Sequence, residues 1–181
     1  SISFIELSIA IMGFHEVGGS LPEASYLDFQ SHVSPCVREA ACFCFVSKNP
    51  VAAAPLLKSH VQNPLSGKLG TSSTKVLQKM PSLVELGEMR AWLVVTQPTI
   101  VRKRAFSILR KKGKWEMLPF LLELSYDEDH LMKQSAQMQL GVWLARFNFS
   151  QVQPTVGSLE EAKNAFNKAK THLAVGFARE F

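Results

Sequence analysis

Three stretches of this chain repeat one pattern, and a repeated unit limits the fold more tightly than any single segment can. Val37-Arg38-Glu39-Ala40-Ala41 with Phe45, Val101-Arg102-Lys103-Arg104-Ala105 with Leu109, and Met132-Lys133-Gln134-Ser135-Ala136 with Leu140 align position by position. Each opens on an apolar residue followed by a base, has small residues three or four places on, and sets a large apolar residue eight places on. That spacing is the period of a helix with one buried face. In the first two units a proline, Pro55 or Pro119, falls eighteen residues after the leading valine, beside leucines of the next expected helix. The second and third units start 31 residues apart and the first two 64 apart, so one degenerate unit fits between them. A chain built this way is expected to be all-α, an α-solenoid of stacked antiparallel helix pairs, because a single pair cannot bury both its faces.

Helical periodicity extends through most of the remainder. Residues 22–31, 35–47 and 51–61 read as helices, two of them opening on proline in the first turn. Residues 63–74, rich in Gly, Ser and Thr, read as a loop, followed by a short helix at 75–80 and a longer one at 81–95. Residues 98–112 carry Val101, Ala105, Ile108 and Leu109 on one side and bases on the other, with Gly113 at the C-terminal end. Pro119 is expected to kink a helix over 115–124, and 129–147, apolar on two sides, is expected between neighbours. Ser158 and Glu161 form a capping-box pattern, which predicts a last helix at 158–181, carrying Ala162, Ala165, Phe166, Leu173 and Phe177 inward as a cap on the stack. Residues 2–14 read as a buried helix or strand, too short to span a bilayer. The total is roughly eight or nine helices.

The 181 residues, 46% of them apolar, suit one folded domain over 1–181. A start at Ser1 without methionine and a stop inside a helical pattern at Phe181 are also what a piece of a longer protein would show, and missing neighbours could carry the activity. Cys36, Cys42 and Cys44 lie in one apolar helix, odd in number and without a CxxC pair, and read as free thiols. That usage points to a reducing compartment and a cytoplasmic protein.

The run Leu118-Pro119-Phe120-Leu121-Leu122-Glu123-Leu124, then Asp127 and Asp129, then Met132-Lys133, resembles a HEAT repeat of the armadillo-like class. The likeness is best over residues 98–147 and weaker over 22–62. It implies that Pro119 and Pro55 belong to first helices and Asp129 to a turn. It also implies that Val37-Arg38, Val101-Arg102 and Met132-Lys133 open second helices, with Ala41, Ala105 and Ala136 at close contacts. Arg38 and Arg102, on the apolar side, would need carboxylate or carbonyl partners and are read as structural. The resemblance further implies a non-catalytic interaction module that holds a protein or peptide partner on a curved surface. HEAT-like arrays also occur in DNA glycosylases acting on alkylated bases, which keeps nucleic-acid binding and, by fold analogy alone, a glycosylase or lyase in view.

Candidate chemistry is sparse. His15, His32, His60, His130 and His172 are scattered, with no i, i+4 pair, and no metal or cofactor site is read from them. Tyr126-Asp127-Glu128-Asp129-His130 has the groups for cation binding or acid–base work, but a helix start prefers the same carboxylates. Phosphate-cradling glycine loops and a Gly-x-Ser-x-Gly elbow are absent. Asn148-Phe149-Ser150 matches the glycosylation triplet, a pattern common by chance. The strongest functional feature is a basic stripe, Lys103, Arg104, Arg110, Lys111 and Lys114, on a chain of net charge +5. Such a run is ordinarily a solvated face; as a site it would meet phosphates or an acidic protein segment.

Overall fold

The computed structural model describes residues 3–147 and 153–173. Asn148-Phe149-Ser150 and Phe177 lie outside those residues. Ten α-helices, two 3₁₀ turns and no strand occur among the described residues, and no helix there is long and apolar enough to cross a membrane. The chain divides into two compact units, Ser1–His60 and Val61–Phe181, each taken by itself.

The first unit contains α1 (Phe4–Glu16), α2 (Glu23–Gln30), α3 (Pro35–Lys48) and most of α4 (Ala54–Gln62). Helix α1 starts where Ser3 Oγ accepts the Glu6 N–H at 3.2 Å and the Glu6 carboxylate accepts the Ser3 N–H at 2.7 Å. That capping box decides between the helix and strand expected for this stretch. Both α1 and α2 pack on α3, around Ile11, Tyr26, Val37, Ala40, Ala41, Cys44 and Phe45. The Tyr26 and Phe45 rings stack at 5.6 Å, and Tyr26 Oη accepts the Leu21 N–H at 3.1 Å, so the buried phenol is satisfied. The expectation that α1 is buried is overturned: Ile11 alone is buried in it, while Ile5 and Ile9 are 65% and 64% exposed. Helix α3 covers only one side of α1, and apolar composition on the other side does not by itself supply a neighbour.

The second unit holds α5 (Gly67–Lys79), α6 (Leu86–Leu93), α7 (Thr99–Leu109), α8 (Lys114–Leu124), α9 (His130–Phe147) and α10 (Val156–Ala169), with 3₁₀ turns at Pro64–Ser66 and Pro81–Leu83. The loop expected at 63–74 is instead the 3₁₀ turn at Pro64–Ser66 followed by the first half of α5. Its Gly70, Ser73, Thr74 and Leu77 form a buried stripe at helical spacing, so the small residues there serve close helix contact with α7. Helix α8 is the apolar centre. Met117, Leu118, Phe120, Leu121, Leu122 and Leu124 are all buried, and α9 and α10 both pack on α8. The apolar pattern predicts burial of α9 on two sides, but α9 leaves Leu131 and Met138 exposed at 52% and 67%. Helix α10 lies against α8 through Ala162, Ala165 and Ala169. It begins at Val156, not Ser158, because the Thr155 hydroxyl accepts the Ser158 N–H at 3.2 Å, and it ends at Ala169.

The repeat positions occupy matching places. Val37, Val101 and Met132 are each the third residue of α3, α7 and α9, and each is at most 1% exposed. Ala41, Ala105 and Ala136 follow at 0%. The prolines differ: Pro119 lies inside α8, whereas Pro55 is the second residue of α4, where a helix tolerates it freely.

All three cysteines are free, Cys36 exposed and Cys42 and Cys44 buried. Burial pushes the Cys42 thiol up to about 11. A thiol labelled at pH 8 in native protein should therefore be Cys36, with Cys42 and Cys44 reacting only in denaturant. Between pH 9 and 11 the unfolded thiol loses its proton before the folded one does. Stability should be intact below that window and fall as pH rises through it, a loss that Cys42→Ala reduces in pH-dependent urea melts while buried Cys44 keeps its own share.

Candidate interaction surface

Arg102, on the inward side of α7, is 2% exposed and has two partners outside its own helix. Its Nε donates to the Leu93 carbonyl at the end of α6 at 2.9 Å, and its Nη2 forms an ion pair with Asp127 in the turn between α8 and α9. The other oxygen of Asp127 accepts the Asp129 N–H at 2.9 Å. Asp129 Oδ1 in turn accepts the Leu131 and Met132 N–H groups at 2.9 and 3.3 Å, capping α9, and Oδ2 accepts from the Thr99 hydroxyl at 3.4 Å. Partial desolvation pushes the Asp129 carboxyl up, but those N–H donors, Arg102 and Lys103 together hold it below its ordinary value. The first turns of α7 and α9 are thus joined side by side. In the first unit Arg38 reaches the His32 and Val33 carbonyls at 2.6 and 2.9 Å.

The expected acidic and histidine cluster is dispersed by this arrangement. Asp127 and Asp129 are committed to the junction, the Tyr126 ring stacks on His172 at 5.0 Å, and Glu128 and His130 are exposed. Among the described residues no group of three or more His, Cys, Asp or Glu is placed to hold a metal ion.

The basic stripe is corrected in one member. Arg104 is only 7% exposed and points under α5, donating to the Asn63 carbonyl at 2.9 Å, the Ser66 hydroxyl at 3.0 Å and the Val61 carbonyl at 3.3 Å from Nη1. A helical projection puts it with its basic neighbours, but the wide buried face of α7 reaches round to include it. A Cβ on Gly70 would lie 2.3 Å from the Arg104 Cζ, so that glycine makes room for the guanidinium. Lys103, Arg110 and Lys111 are exposed, and Lys114 opens α8 with its side chain outside the described set. Lys112 is spent on the Val84 carbonyl.

The helix that stands where the sequence predicts a loop carries a second basic face. Exposed Lys68, Lys75 and Lys79 lie along the outer side of α5, which packs on α7. The signal was present: from Asn63 to Trp115 eleven lysines and arginines face two acids, Glu85 and Glu88.

Comparison with protein-family models, with curated proteins and with solved structures finds no match to this chain.

One open cleft of about 140 Å³ is lined by Arg90, Leu93, Val94, Val95, Phe120, Glu123, Leu124 and Asp127. Arg90 bonds Glu123 at 2.7 Å and lies over the Phe120 ring at 4.8 Å. Its lining offers the Arg90–Glu123 ion pair, the Asp127 carboxylate already committed to Arg102, and apolar surface.

Asp127→Ala should destabilise the second unit by about 3 kcal/mol, since it strands the buried Arg102 charge. Pairing it with Arg102→Met should recover much of that loss in urea melts; equal loss in both variants would mean the ion pair is not what holds the junction. Gly70→Ala should lose roughly 1 kcal/mol or more despite the helix propensity of alanine. Gly87→Ala in α6, with nothing within 4 Å, should gain a fraction of that.

Proposed function

We propose that this chain is a non-catalytic interaction module. In this reading, helix pairs α6/α7 and α8/α9 stack as a HEAT-type solenoid and offer their second helices to a protein or peptide partner. The observation that carries the reading is the junction of Thr99 and Arg102 with Asp129 and Asp127, which ties one pair to the next at the 31-residue repeat step. A stack held at that point keeps α7 and α9 side by side at their starts and turns their opposite faces outward. Those faces carry Ile100, Lys103 and Arg110 on α7, and Leu131, Gln134 and Met138 on α9. Exposed apolar residues set in a polar surface are what a partner's side chains would cover. Buried free thiols at Cys42 and Cys44 fit a reducing compartment, and we place the protein in the cytoplasm on that ground.

A second reading, binding of DNA or RNA, is favoured by the exposed bases Lys103, Arg110 and Lys111 beside the lysines of α5. The loss of Arg104 to the interior weakens it, as do the exposed apolar residues, for which a phosphate backbone has no use.

The test is selection of short peptides on the full chain from a random display library. Binders should be recovered, and Leu131→Asp with Met138→Asp should weaken them at least tenfold, about 1.4 kcal/mol, without moving the urea midpoint. Val51→Asp, at an exposed site in the first unit, should change nothing. Recovery of no binder, or binders indifferent to the α9 substitutions, would defeat the reading.

A further inference from the structure

Applying the 31-residue repeat step to the exposed residues of α7 and α9, which the core alignment does not use, pairs them one with another. Ile100 corresponds to Leu131, Lys103 to Gln134, Ser107 to Met138 and Arg110 to Gly141. Ile100, Leu131 and Met138 are 43%, 52% and 67% exposed, and Lys103 and Arg110 are exposed with them. Both stripes set out from the shared end where Thr99 meets Asp129. Read outward from that end, the rows alternate: apolar at Ile100 and Leu131, basic at Lys103, apolar at Met138, basic at Arg110. Each step is three or four residues, about 5 Å along a helix axis.

We infer that this alternating surface takes an acidic amphipathic helix of a partner protein, with apolar and carboxylate residues following one another at spacings of three or four. The inference rests on the interaction-module reading and names the chemistry of its partner. Charge complementarity supplies the first argument. The exposed side chains of α7 include no acid and α5 beside it has none in its sequence, so a carboxylate-rich segment is drawn to Lys103 and Arg110 and a basic one is repelled, while Glu128 is an exposed acid in the turn before α9. Period supplies the second. A partner helix repeats its faces at 3.6 residues, which matches the row spacing when it lies along α7 and α9, whereas an extended strand alternates every second residue and would lose register. The apolar rows argue against a nucleic acid, as does the absence of a stacking surface: the aromatic rings described on these two helices, Phe106 and Trp143, are buried at 7% and 6% exposure. Asp129 lies close enough to Lys103 to feel its charge, which makes Arg110, at the far end of α7, the stronger attractor for a carboxylate.

The experiment uses the full chain and a display library of random peptides of about 16 residues, long enough for four helical turns. Selected peptides should carry net negative charge, with apolar and acidic residues alternating at steps of three or four, and should gain helical signal on binding. Their affinity should drop at least tenfold for Lys103→Glu with Arg110→Glu, and fall with added salt. Leu131→Ser with Met138→Ser should weaken them at high and low salt alike. All four positions are exposed, so circular dichroism should match the parent for every variant and the urea midpoint should match it for the Leu131 and Met138 changes, with a small drop for Lys103→Glu, which loses its attraction to Asp129. Neutral or basic peptides that still depend on Met138 would overturn the acidic partner and leave the interaction module standing. Recovery of no peptide at all would remove both. A duplex of about 20 base pairs or a single-stranded RNA of similar length that displaced the peptides, and lost affinity on the same charge reversals, would assign the surface to nucleic acid.

Discussion

A guanidinium withdrawn from water must be met by an anion and by carbonyl oxygens, and at Arg102 both come from outside its own helix. Leu93 ends α6 and Asp127 lies in the turn before α9, so one side chain ties the end of α6 to the start of α9. The geometry propagates, because Asp127 also receives the Asp129 N–H, and Asp129 caps α9 while receiving the Thr99 hydroxyl. A core of leucine, valine and phenylalanine tolerates sliding of one helix on another. A buried charge with directional partners does not, and it specifies the register of α7 against the turn that follows α8.

What could be read in the sequence divides along a physical line. Elements with strong local signals were legible: α3, α7 and α9 through their repeated apolar spacing, and α2 and α3 through prolines at or just before their first turns. The burial of Val37, Val101 and Met132 followed from the same spacing. Misreadings arose where composition stood in for context. Glycine, serine and threonine in α5 look like loop chemistry until Arg104 is known to lie against them, a contact nearly forty residues away in sequence. Thr155 displaced Ser158 as the cap of α10 because either hydroxyl fits the pattern and backbone geometry chooses. The outward stripe of α9 reads as core in the sequence because apolar residues on two helix faces do not announce which face has a neighbour.

The basic face shows the same division. A helical projection assigns angles correctly but has no knowledge of how wide the buried sector is. On α7 that sector takes in both Arg102 and Arg104, so two of its guanidinium groups hold the fold together and only Lys103, Arg110 and Lys111 remain for solvent or a partner. The inward arginines bind carbonyls and a carboxylate, while the outward bases share α7 with no acid of its own. Identical charges in one short stretch therefore serve opposite ends, cohesion and attraction, according to the sector each occupies.

The void at Gly70 is shaped by a residue on another helix, and this ties two positions into one inheritable trait. Any lineage that placed alanine at 70 while keeping arginine at 104 would be at a disadvantage, and one that shortened 104 first would leave a gap under α5 for water to enter. Substitutions at the two sites are therefore expected to arrive together, so that a joint change from glycine and arginine to a larger and a smaller residue would be the evolutionary imprint of this single contact.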